Sequence, residues 1–122
     1  MTLRLSPVRM TVTRDLIREY AALSDDYNPI HVDPEYAAAS PMGGVIAHGT
    51  LSLNLIWHSL ELTFGSQGAD CIITEVRFKT PVRENDALEA GGEIDDSGEI
   101  RIWVRNQHAL NVIEGSARLK GP

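Results

Sequence analysis

Asp26, Asn28 and His31 fall within six residues, around Pro29, in the segment Ser24-Asp25-Asp26-Tyr27-Asn28-Pro29-Ile30-His31. They bring a carboxylate, an amide and an imidazole to one stretch of chain. Pro29 fixes its own φ and biases Asn28 towards extended backbone, so the turn is rigid and can aim all three groups at one small volume. That trio suits the handling of a single water. It offers an acceptor to orient the molecule, a group that titrates near neutrality to move its proton, and an amide to fix a third direction. Turn formation accounts for the same residue types, because Asp and Asn bond their own backbone and cap short helices. Spacing alone leaves catalysis and plain turn chemistry both open.

Two stretches of different periodicity must hold that segment in place. A short strand over residues 8–12 leads to Thr13, a fitting N-cap, and to a helix with Leu16, Ile17, Tyr20 and Leu23 at helical spacing. A loop from Ser24 to Pro34 carries the polar trio. A short helix over Glu35 to Ala39 follows, and Pro41, Gly43 and Gly44 impose another loop. Gly49 opens the longest helix. Leu53, Ile56, Leu60 and Phe64 form one apolar stripe and Leu51, Leu55 and Leu62 a second, the pattern of a helix enclosed on more than one side. Gly65 and Gly68 end it.

The remainder alternates with the period of strands. In Cys71 to Pro81, Ile72, Val76 and Phe78 oppose Glu75, Arg77 and Lys79. Further strands are expected at residues 87–94, 99–106 and 111–120, with a tight turn at Asp96-Ser97-Gly98. Such consecutive strands make an antiparallel sheet. With one long, heavily buried helix, the expected architecture is α+β, a curved sheet wrapped around the helix.

Composition narrows the partners. The 122 residues fit one domain, expected to span 1–122, and the net charge of −6 argues against a nucleic-acid partner. Cys71 is the one cysteine, which excludes an internal disulfide or a multi-cysteine metal site and suits a reducing cytosol. Met-Thr-Leu-Arg-Leu-Ser-Pro has no apolar leader core, and the apolar stretch from Thr50 to Phe64 is too short to span a bilayer and contains Asn54, His58 and Glu61. A soluble cytoplasmic protein with no membrane partner is expected.

Asp26-Tyr27-Asn28-Pro29-Ile30-His31 resembles the hydratase-2 motif of MaoC-like proteins, the (R)-specific enoyl-CoA hydratases. Tyr20 to Leu23 resembles the lead-in to that motif, and Val45-Ile46-Ala47-His48-Gly49-Thr50-Leu51 the loop that opens the family's central helix. The resemblance covers nearly the whole chain and implies a single hot-dog fold. It implies a hydro-lyase that reversibly hydrates a trans-2-enoyl-CoA to the (R)-3-hydroxyacyl-CoA. Asp26 and His31 match the catalytic dyad that activates water. Asn28 matches a supporting amide, and Gly49 the residue whose backbone N–H meets the thioester carbonyl. A helix N-terminus suits that last role, and glycine allows close approach. No metal or redox cofactor is implied, coenzyme A enters as part of the substrate, and a homodimer or higher homo-oligomer is expected.

Two departures stand out. Asp25 occupies the place of a usual glycine before the motif aspartate, where its carboxylate is expected to face solvent. Trp57, eight residues past Gly49, occupies that of a pocket serine in some members, which makes it a pocket candidate closing the cavity with a large ring. Asn54, His58 and Glu61 share a helix face expected to be exposed, and His108 sits in an exposed turn. Trp103 is out of register with its neighbours and suits contact with a partner or the sheet's other side. His48 is expected to pack the loop. Arg77, Lys79 and Arg83 are cations available to coenzyme A phosphates, though solvated strand faces look alike. A hot-dog acyl-CoA thioesterase and a non-catalytic subunit of a heteromeric hydratase are the competing functions. The acyl group, a carrier-protein alternative and the favoured direction are not written in the sequence.

Overall fold

The computed structural model describes residues 3–120. Along these, strands β1 (Leu3–Arg4) and β2 (Val8–Val12) precede helices α1 (Arg14–Ser24), α2 (Pro29–Val32), α3 (Pro34–Ala39) and α4 (Gly49–Ala69). Strands β3 (Ile72–Phe78), β4 (Asp86–Ile94), β5 (Ile100–Arg105) and β6 (Asn111–Leu119) complete the sheet. All pairings are antiparallel, in the order β1-β4-β5-β6-β3, with β2 also on β4. Helix α4 packs against β2, β3, β4 and β5, the expected hot-dog arrangement of sheet around helix. Among the described residues no helix is long and apolar enough to cross a membrane.

Local chemistry explains the boundaries. Thr13 caps α1 by accepting the Leu16 N–H at 3.1 Å. The loop expected from Ser24 to Pro34 contains the turn of helix α2, because Asn28 caps it through the Ile30 N–H at 3.2 Å and Pro29 takes its first position. Asp33 then caps α3 through the Tyr36 N–H at 3.1 Å. Strand β1 is too short to register as alternation. It and β2 are two pieces of one sheet edge, parted at Leu5-Ser6-Pro7, where proline offers no N–H. Ser6 is instead tied to α4. Its N–H donates to Thr63 Oγ1 at 2.9 Å and its carbonyl accepts from Ser59 Oγ at 2.5 Å.

The buried side of α4 differs from the two leucine stripes. Leu51, Ser52, Leu55, Ile56, Ser59 and Leu60 are buried, whereas Leu62 is 56% exposed. Two serines on the inward side hide it from a hydropathy reading. Gly65, at φ 77° and ψ 163°, interrupts the helix where expected, but helical turns resume as far as Ala69. Asn54, His58 and Glu61 are exposed, as expected for a solvent-facing side.

Leu60 is 0% exposed at the centre of this packing. Leu60→Ala is expected to cost about 2–5 kcal/mol. Urea unfolding, with the m-value unchanged, measures it.

Candidate active site

Helix α1 ends in a left-handed residue, Asp25, at φ 54° and ψ 35°, whose N–H bonds to the Ala21 carbonyl. The Asp26 N–H bonds to the same carbonyl at 3.0 Å. The chain thus turns sharply off α1, which is why glycine is the natural occupant before the aspartate; Asp is among the few other types that tolerate this conformation. The Asp25 side chain is exposed.

Asp26 is then fixed from a second side. His48 Nε2 lies 2.9 Å from the Asp26 carbonyl, and since a carbonyl only accepts, that nitrogen carries the hydrogen. The Asp26 side chain is exposed, with Oδ1 accepting the Asn28 N–H at 3.2 Å. Asn28 caps α2 with its own oxygen, so one of that oxygen's two lone pairs serves the turn.

His31, on α2, bonds through Nδ1 to the Ile46 carbonyl at 2.7 Å. The same logic puts the hydrogen on Nδ1, leaving the Nε2 lone pair of the neutral ring free to accept a proton. His31 and His48 stack at 3.9 Å, and Tyr20 meets His48 edge-on at 5.1 Å. His48 is 3% exposed, so it does pack the loop as expected, but it also holds the Asp26 backbone. Its position before Gly49 was the available signal.

One side-chain ligand atom from each of Asp26, His31 and His48 lies within 4.8 Å of the others. A single water can touch two groups at such a separation. The two rings are inclined by only 26°, so their in-plane lone pairs do not converge, and the trio is arranged for hydrogen bonding more than for a shared ion.

His31, Gly49, Ser52, Phe78, Val82 and Val112 are among the residues around a cavity of about 330 Å³. Gly49 begins α4, and His48 provides no side-chain cap, so the first N–H groups are not closed off by it. A Cβ at Gly49 would lie 2.9 Å from the Phe78 ring. Phe78, expected on the inner side of β3, is 56% exposed and covers this glycine. Trp57 lies farther along α4. It is half-buried against the core and does not line this cavity, because eight residues carry it about 12 Å along the helix. Ser52, one turn past Gly49, lies there instead.

Two of the three suggested cations share Glu114: Lys79 lines this cavity and sits 3.6 Å from it, and Arg77 is its partner across β3 and β6, on the sheet's other face. Arg83 stands apart and reaches the Gly44 carbonyl at 3.4 Å. On that other face Trp103 lies under the Arg105 guanidinium at 4.1 Å. His108 is exposed, as expected.

The MaoC like domain family model matches residues 3–115. A 3-hydroxyacyl-thioester dehydratase Z of Mycobacterium tuberculosis is 31% identical over 116 residues, covering 89% of this chain and 76% of that protein. A 3-hydroxybutyryl-CoA dehydratase of Methylorubrum extorquens is 36% identical over 108 residues, covering 84% and 69%. The solved (R)-hydratase of A. caviae, involved in PHA biosynthesis, superposes with a TM-score of 0.77 at 25% identity, over 100% of this chain and 95% of that one.

Asp25→Gly is expected to stabilise the protein by up to about 1 kcal/mol, because it relieves the left-handed residue. A rise of a few degrees in thermal midpoint checks it.

Proposed function

The chain belongs to the MaoC-like domain family, and from that premise we propose that it reversibly hydrates a trans-2-enoyl-CoA to the (R)-3-hydroxyacyl-CoA. The observation that carries this reading is the juxtaposition at the start of α4. His31, with Nε2 free, lines the same cavity as Gly49 and has a side-chain atom within 4.8 Å of one of Asp26.

The chemistry follows from those positions. A water held between Asp26 and His31 adds its oxygen to C3 of the enoyl group while the pair takes up its proton. The π electrons move towards the thioester carbonyl, whose oxygen gains negative charge. The Gly49 N–H and the positive end of α4 stabilise that charge. The same pair returns a proton to C2, so both elements of water enter on one face. Dehydration runs these steps in reverse. The relatives named as dehydratases and the solved (R)-hydratase support both directions of one reaction.

No metal or redox group takes part in this scheme, and coenzyme A is carried by the substrate. Strand β3 forms one edge of the sheet, and pairing it with a second copy would give the homodimer this reading includes. A cytoplasmic, single-domain enzyme completes the proposal.

Loss of enoyl-thioester absorbance with crotonyl-CoA tests it. Wild type is expected to turn over, and Asp26→Asn and His31→Ala to lose at least about 10²-fold in rate. Gly49→Ala is expected to lose at least about 10-fold, since its methyl group meets Phe78 and narrows the approach to the N–H. Activity that survives both dyad substitutions sinks their assigned roles. Thiol release from a saturated acyl-CoA, without hydration, would make the protein a thioesterase.

A further inference from the structure

Ser52 is the most deeply buried polar side chain lining the cavity beside His31, at 1% exposed, and its hydroxyl has no hydrogen-bond partner among the described residues. Other serines and threonines in this molecule behave differently. Ser24 Oγ donates to the Tyr20 carbonyl at 2.7 Å and Thr63 Oγ1 to the Ser59 carbonyl at 2.8 Å, each one turn back along its own helix. Ser59, buried on the same side of α4 as Ser52, reaches the Ser6 carbonyl. A buried hydroxyl without a partner is unusual and asks for a group the folded chain does not supply.

Its position says where that group would sit. Three residues past Gly49 lies one helical turn away on the same side, about 4.5 Å along the axis. Side chains on a helix tilt towards its N-terminus, so the Ser52 hydroxyl leans back towards the first-turn N–H groups. Gly49 and Ser52 line the same cavity, which between and around them is walled by Ile46, Ala47, Val82 and Val112.

We infer that Ser52 is a second oxyanion donor: its hydroxyl and the Gly49 N–H together hold the thioester carbonyl oxygen. This rests on the hydratase reading and assigns to it a residue beyond the motif. The hydroxyl donates to an oxygen that becomes more negative as water adds to C3, so its bond strengthens in the transition state and acts on kcat more than on KM. With no bond to lose in the free protein, the hydroxyl is dispensable for folding.

Ser52→Ala, assayed with crotonyl-CoA beside wild type, tests this. The expected result is a kcat lower by about 10- to 10²-fold, KM within about 3-fold, and a thermal midpoint equal to or above that of wild type. A kcat within about 2-fold of wild type overturns the inference, and so does a loss confined to KM. A lost rate accompanied by a clearly lowered midpoint also overturns it, since the hydroxyl would then serve the fold. If wild type hydrates neither crotonyl-CoA nor longer enoyl-CoA esters, the hydratase reading fails and this inference with it. An active wild type with an equally active Ser52→Ala removes this inference alone.

Discussion

Helix α4 lies with a broad side against four strands, and the apolar area removed from water there leaves little freedom in where the helix begins. Everything at the site is measured from that beginning. The first turn has backbone donors that no helix can satisfy internally, and His48 offers them no side-chain cap. The packing of the core therefore delivers unspent N–H groups to the edge of a cavity.

The polar residues reach that place by backbone bonds more than by side-chain contacts. Asp26 is anchored on both sides of its Cα, by Ala21 through its N–H and by His48 through its carbonyl. His31 is anchored through the Ile46 carbonyl, on the segment that leads into α4. Both groups are thus referenced to the same helix start, although α1 and α2 carry them. The stacked His31 and His48 rings close the arrangement.

Much of this was legible in the sequence because it depends on local rules. Periodicity located α1, α4 and the four longer strands, and the Asp26–His31 segment stood out through its resemblance to a family motif, its residue types alone being equally those of a capped turn. Helix α2 was hidden because its apolar period is shorter than a pattern can reveal; only the Asn28-Pro29 cap marks it. Counting along α4 put Trp57 beside the pocket but gives no distance to a wall made by other elements, and the cavity at His31 is lined without it. Ser52 and the second task of His48 were not legible at all. Each depends on what a side chain fails to bond, or bonds across more than 20 residues, and neither is a property of spacing.

The divided sheet edge at β1 and β2 has a consequence for how the chain can be made. Val8 pairs with Ala90, across 82 residues, and Ser6 is tied to α4 residues more than 50 positions later. At roughly 5–20 residues per second of synthesis, β2 waits about 4–16 s for its partner to leave the ribosome. The residues of all four helices, whose backbone bonds are local, are made in that interval. Vectorial synthesis therefore leaves the N-terminal segment without its strand partner until β4 emerges, and closure of the sheet by β4 is the step at which that segment ceases to be a free β-strand.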